Sequence, residues 1–187
     1  MRATGPGQSS LLLLDVVELL NSEKIEYAVV GAMAASIHGV VRASFDADAV
    51  LRVTVQRAAD LERKLVQSGF QCQLNRGDFS DPIPALLSLA DPFRNRVDLL
   101  IGLRGLEAEA FSRAISIPFQ GTTLCVIGRE DFIAMKVFAG GPQDLADARA
   151  TLAAAGPLDM ELLRRLADRY GKDASAALDK LLADGSR

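Results

Sequence analysis

Arg42-Ala43-Ser44-Phe45-Asp46-Ala47-Asp48-Ala49-Val50 sets two carboxylates two residues apart at the head of an expected strand. Side chains alternate along a strand, so Asp46 and Asp48 share one face. Phe45, Ala47, Ala49, Leu51 and Val53 fall on the opposite face, which is expected to pack into a core while the two acids stand outside it. Like charges held side by side repel unless a cation sits between them. Hard oxygen ligands of this kind suit Mg²⁺ or Mn²⁺, and a divalent ion in turn points to phosphate chemistry. Asp-x-Asp alone also describes an exposed strand edge with solvated acids, so its surroundings must decide.

Upstream, Tyr27-Ala28-Val29-Val30 reads as a short strand that breaks at Gly31 into a small-residue helix, Ala32 to His38. Glycine lets backbone approach a ligand closely, and the helix start offers free N–H groups to a phosphate. Downstream, Arg96-Val97-Asp98-Leu99-Leu100-Ile101 puts Val97, Leu99 and Ile101 on one apolar face and turns Asp98 the other way. Three such acids can build one metal site.

This constellation resembles the nucleotidyltransferase superfamily of the DNA polymerase β type, in which a glycine turn, a strand-borne Asp-x-Asp and a later strand Asp form the active site. The resemblance implies an α+β fold: a palm of mixed sheet flanked by helices. More narrowly, Val30-Gly31-Ala32, Gly39, Arg42-x-Ser44-x-Asp46-x-Asp48, Glu130-Asp131-Phe132-Ile133-Ala134-Met135-Lys136 and Asp144-Leu145-Ala146-Asp147 resemble the AbiEii-type nucleotidyltransferases. Many of those are toxins of bacterial toxin–antitoxin or phage-defence loci. The likeness spans residues 25–155.

What it implies is transfer of an NMP from an NTP to an acceptor hydroxyl. Asp46 and Asp48 would hold Mg²⁺ (or Mn²⁺) against the triphosphate. Asp98 would help bind a second metal and orient or deprotonate the acceptor, whose oxygen attacks the α-phosphorus as pyrophosphate leaves. Gly31, Ala32, Arg42, Ser44 and Lys136 would be nucleotide-binding, with Asp144 and Asp147 nearby. By the same likeness the acceptor is an RNA such as a tRNA 3′ end, or a small-molecule hydroxyl as in antibiotic-modifying relatives. A toxin would have a cognate antitoxin protein as partner. The chain departs from the pattern at Gly31-Ala32, where relatives carry Gly-Gly or Gly-Ser. A hydroxyl is absent there, although backbone N–H groups can do its work. A nucleotidyltransferase-like module without turnover, acting as antitoxin or binding partner, is the alternative.

Two cations carry two readings each. Arg42 is a phosphate ligand or a structural ion pair. Lys136 lies on a helix among Phe132, Ile133, Ala139 and Gly140, an apolar setting in which an ammonium group needs an anion. That anion is a triphosphate or the nearby Asp144 and Asp147.

Composition bounds the rest. With 187 residues and 49% hydrophobic content, the chain can bury a core as one domain or as a domain with a helical appendage. A net charge of −3 argues against a surface that coats nucleic acid, without excluding a local basic patch. Cys72 and Cys125 lack metal or disulfide spacing and read as reduced. His38, the single histidine, sits at a helix C-terminus, where the partial negative charge favours a protonated ring. Leu11 to Leu20 is apolar, but Asp15 and Glu18 interrupt it, so it reads as a helix capped by Ser9 or Ser10 rather than a membrane span. A cytoplasmic protein is expected. Residues 1–8 are expected as a frayed tail, 9–128 as the palm, and 129–187 as a helical region packed on it.

The expected elements are helix 10–22, strand 26–30, helix 32–38, strand 46–53, helix 55–68 and strand 70–74. Then come a loop over 75–84, an ambiguous 84–89, strand 95–101, helix 106–114, strands 115–119 and 122–127, and helices 131–139, 142–155, 159–170 and 173–182.

Overall fold

The computed structural model describes residues 1–40 and 44–185; Arg42 lies outside them. Helix α1 (Ser9–Ser22) leads into β1 (Tyr27–Val30), α2 (Gly31–Ile37), β2 (Asp46–Leu51), α3 (Ala58–Gln67), β3 (Gln71–Arg76), β4 (Ala85–Ala90) and β5 (Arg96–Ile101). The hairpin of β6 (Ile115–Phe119) and β7 (Thr122–Val126) follows. Four helices end the chain: α4 (Arg129–Ala139), α5 (Pro142–Ala153), α6 (Met160–Tyr170) and α7 (Lys172–Gly185). The seven strands form one mixed sheet in the order β3-β4-β5-β2-β1-β7-β6, with β2/β5 and β1/β7 parallel and the other pairs antiparallel. The α+β palm expected from the sequence is therefore the architecture observed.

Alternation along the strands makes this sheet two-faced. Ala47, Ala49 and Leu51 of β2, Val97, Leu99 and Ile101 of β5 and Leu87 and Leu89 of β4 are buried in one apolar cluster with Leu12, Leu13, Val16, Val17 and Leu20 of α1 and Leu61 and Leu65 of α3. Each buried Val, Leu or Ile among them contributes about 1.5–3 kcal/mol relative to exposure, and the alanines less. The opposite face carries the acids. A second cluster holds the C-terminal helices together through Ile133, Val137, Ala148, Leu163, Leu166, Leu178 and Leu181. Helix α4 serves both, since Phe132 belongs to the sheet's cluster and Ile133 to the helical one.

Several elements differ from expectation, each for a local reason. Phe45, expected in the core, is 85% exposed, because the strand begins only at Asp46 and Phe45 sits in the bend before it. Its carbonyl accepts a bond from Ser9 Oγ, which in turn accepts from Arg96 N at 3.0 Å. Ser9 therefore ties α1 to β2 and β5 instead of capping the helix, and Gln8 holds the cap position. The expected helix over 106–114 is a single 3₁₀ turn, Ala108–Ala110, between charged residues that bond elsewhere. The ambiguous 84–89 stretch is β4, an inner strand. The helix expected from Val55 opens as a 3₁₀ turn before α3, and β3 runs two residues into the expected loop. Residues 1–8 carry contacts: Arg2 N donates to Asp15 at 2.7 Å, Gln8 N to Asn95 Oδ1 at 2.6 Å, and Asn95 Nδ2 to the Gly5 carbonyl at 2.9 Å. Among the described residues, no helix is long and apolar enough to cross a membrane.

Candidate active site

The site is set by strand register. Val30, the last residue of β1, lies opposite Asp48 of β2, and Asp48 lies opposite Asp98 of β5. Asp46, two residues back on β2, lies opposite Arg96. Paired residues of neighbouring strands are about 4.8 Å apart and share a face, so the three half-buried carboxylates stand together on the side of the sheet away from α1 and α3.

Gly31 follows Val30 with φ +62°, in the left-handed region. A Cβ there would lie 2.0 Å from Asp48 Oδ2 and 2.9 Å from its Cγ. Only glycine both adopts this turn and lets the Asp48 carboxylate lie against the backbone. Ala32 comes next in α2, and its methyl is buried, so no side-chain hydroxyl replaces the one that the pattern usually carries. Ser44 Oγ is engaged locally, donating to the Asp46 carbonyl at 3.1 Å and accepting from Asp46 N at 3.3 Å.

Each acid lines a different hollow. Asp46 lines a cavity of about 200 Å³ with Ala32, Ser44 and the hydroxyl-bearing Ser9, Ser10 and Ser36. Asp48 lines one of about 160 Å³ with Val30, Gly31, Phe132, Lys136 and Asp144. Asp98 lines one of about 470 Å³ over β3, β4 and β5. Gly31, Ala32, Ser44, Asp46, Asp48, Asp98, Lys136 and Asp144 thus line these three hollows. Asp147 lines none of them and is fully buried.

Both anions offered for Lys136 within the chain are in place. Its Nζ lies 2.7 Å from Asp144 Oδ1 and 3.1 Å from Asp147 Oδ2, and Gln143 Nε2 donates to Asp147 Oδ1 at 2.9 Å. The ammonium also sits 5.6 Å from the centre of the Phe132 ring. Lys136 is therefore a paired cation at the rim of the Asp48 cavity, still within that cavity's lining.

His38 corrects an expectation. Its Nε2 donates to the Ile127 carbonyl at 2.9 Å and its ring packs on Phe132 at 5.4 Å between centres. Burial dominates and lowers its pKa below the ordinary 6.5, outweighing any pull from the end of the seven-residue α2. A neutral, structural imidazole is the result. Cys72 and Cys125 are free, and burial raises the Cys72 thiol to about 12, leaving it unreactive.

Among the described residues, no three His, Cys, Asp or Glu side chains converge as a ready metal cage. Mg²⁺ does not need one: it commonly binds through one or two carboxylates and completes its shell with water and substrate phosphates. A pair of strand-borne carboxylates on one face, without histidine or cysteine beside them, fits that ion.

Several residues that line these hollows carried no signal in the sequence. Ser9, Ser10 and Ser36 reach the Asp46 cavity from two helices, and Gln73 and Ser88 reach the Asp98 cavity from β3 and β4. Only a polar residue recurring at every second position in β3, Gln71, Gln73 and Asn75, hinted that this face stays open.

The sequence matches no protein-family model and none of the curated proteins. Solved structures do resemble it. A crystal structure of an antigenic nucleotidyltransferase-like protein from Paracoccidioides brasiliensis matches with a TM-score of 0.62 and 17% identity, covering 97% of this chain and 91% of that one. ANT(2″)-Ia in complex with adenylyl-2″-tobramycin matches with a TM-score of 0.56 and 15% identity over 87% of this chain and 96% of that one. The lincosamide antibiotic adenylyltransferase LnuA, lincomycin-bound, matches with a TM-score of 0.51 and 13% identity over 82% and 100%. The fold is a nucleotidyltransferase fold.

Proposed function

We propose that this chain is a metal-dependent nucleotidyltransferase that moves an NMP from an NTP to an acceptor hydroxyl. The observation that carries the reading is the register that sets Asp48 beside Asp98, with Asp46 on the same face, at a glycine turn that admits the Asp48 carboxylate. Asp46 and Asp48 would hold Mg²⁺, which when bound neutralises phosphate charge and polarises the α-phosphorus. Backbone at Gly31 and Ala32, with the Ser44 segment, borders the space for the phosphates. Lys136 contributes positive charge at the cavity rim, with Asp144 and Asp147 fixing where that charge sits. Arg42 keeps its place in the motif as a further phosphate ligand. Asp98 orients the acceptor hydroxyl and takes its proton, a role worth about 10²–10⁴-fold in rate.

Calorimetric titration of each NTP with Mg²⁺ into the purified protein tests this. Binding is expected for at least one NTP and should vanish in a folded Asp46→Ala/Asp48→Ala variant. Failure of the wild type to bind any NTP would sink the reading and leave a partner-binding module. An AbiEii-type toxin role, with an RNA acceptor and a cognate antitoxin, is the competing finer reading, carried only by the motif likeness through Asp147; a small-molecule hydroxyl is the other acceptor. Unaffected growth on overexpression would count against the toxin role.

A further inference from the structure

The cavity of about 470 Å³ beside Asp98 is floored by Gln71, Gln73, Asn75 and Ser88, with Arg96 at its side. Register lines these up. Gln73 pairs with Ser88, Ser88 with Asp98, and Asp98 with Asp48, so one polar row crosses four strands and ends at the acids. At about 4.8 Å per strand, it extends about 10 Å from Asp98 to the sheet edge. Gln71 and Asn75 flank Gln73 on the same face of β3, and all three are exposed. Asn75 Nδ2 lies 3.5 Å from Ser88 Oγ, bracing the row.

The chemistry of this floor is selective. Carboxamides and a hydroxyl both donate and accept, which is what hydroxyl groups of a ligand require. Among the described residues lining the cavity, Asp98 and Arg96 are the charged ones, and their charges oppose. A polycation would be matched by several carboxylates, and a nucleic-acid backbone by several cations. Among the described residues, no aromatic side chain lines it as a stacking platform for bases.

Resting on the nucleotidyl-transfer reading, we propose that this floor is the acceptor subsite and that the acceptor is an uncharged, polyhydroxylated small molecule of sugar type. Gln73, Ser88 and the flanking amides hold its hydroxyls and present one to Asp98. In the transfer, that oxygen bonds to the α-phosphorus and the bond from the α-phosphorus to its bridging oxygen breaks. Pyrophosphate leaves with the electron pair, and the hydroxyl proton passes to Asp98.

The test incubates the full chain with Mg²⁺ and α-labelled NTPs against three probes: neutral sugars and sugar alcohols (glucose, maltotriose, sorbitol), the polycation tobramycin, and a single-stranded RNA oligonucleotide. Label is expected on a neutral polyol. Gln73→Ala should raise the acceptor KM about five- to tenfold, the loss of one neutral hydrogen bond, with the KM for NTP unchanged. Gln73→Glu should shift preference toward tobramycin. Transfer to tobramycin or RNA in preference to every polyol overturns the proposal, as does transfer to a polyol that Gln73→Ala leaves untouched. Transfer to none of the three, with calorimetry still showing NTP binding, overturns it too. Loss of NTP binding itself would instead bring down the underlying reading.

Discussion

Gly31 and Asp48 act as a unit, since the carboxylate occupies the space that any larger residue at position 31 would fill. Gly31→Ala meets two penalties: a left-handed backbone that costs an L-residue about 1–2 kcal/mol, and a methyl 2.0 Å from Asp48 Oδ2. The expected outcome is a lowered urea midpoint together with loss of Mg²⁺-dependent NTP binding by calorimetry. Unchanged NTP binding would separate Asp48 from the nucleotide site. Lys136 presents the reverse problem, a cation already satisfied. Replacing it by methionine leaves Asp147, 0% exposed, facing the space the ammonium held. Removing one partner of a buried pair costs about 3–5 kcal/mol. Lys136→Met should therefore destabilise strongly by chemical denaturation, and Lys136→Met/Asp147→Asn should recover part of the loss. If the single variant melted like the wild type, the ion pair would carry no structural role and phosphate contact would be the remaining explanation for this lysine.

The strands show which parts of the fold and site can be read from one sequence. Alternation within β2 and β5 sorted Ala47, Ala49, Val97 and Leu99 from Asp46, Asp48 and Asp98, because a strand's face is a property of its own residues. What aligns Asp48 with Asp98, or Gln73 with Ser88, is register between strands distant in sequence, which no local pattern encodes. The amide floor was therefore invisible although its residues were in plain view. Strand β4, Ala85-Leu86-Leu87-Ser88-Leu89-Ala90, has no β-branched or aromatic residue, and its strand state comes from two neighbours. The reverse holds at 106–114, where local helical preference yields to Glu107 and Arg113, which bond to α4 and α6. His38 misled for a similar reason: the join of α2 to the segment after β7 buries it. Because its folded pKa lies below the ordinary 6.5, the unfolded chain binds the extra proton first. The stability from this neutral histidine is present above pH 6.5 and falls as pH drops below it. Urea titrations at pH 7.5 and 5.5 should show that decline in wild type and a smaller one in His38→Gln; equal declines would place the effect elsewhere.

Sheet and helical bundle have separate apolar clusters, so their union depends on what crosses between them. Helix α4 is one link and a charge network around the buried Glu107 and Asp131 is another. Arg113, just before β6, forks onto Asp131 of α4 through Nε at 2.8 Å and Nη2 at 2.7 Å, while its Nη1 lies 2.8 Å from Glu107 Oε1. Arg165 of α6 closes on Glu107 from the other side with bonds of 2.8 and 2.9 Å. Glu107 is 9% exposed and Asp131 2%, so these charges are stable only as a set. Hydrogen bonds from Arg165 and then Arg113 hold the Glu107 carboxyl at about 2, below its ordinary 4.5. A carboxylate depressed in the folded state contributes stability that is complete above about pH 4.5 and is lost as pH falls toward about 2. Protonation of Glu107 leaves three arginines, Arg113, Arg165 and Arg169, sharing one fewer anion at the seam between sheet and bundle. Acid should accordingly loosen this seam, and with it the position of Lys136 over the Asp48 cavity. Urea unfolding at pH 7, 4 and 3 should show a steep loss in the wild type. In Glu107→Gln the protein should start less stable at pH 7 and lose less below pH 4.5. If that variant kept the wild-type slope between pH 4.5 and 3, the acid sensitivity would belong to other carboxylates and the network would not be what joins the two halves.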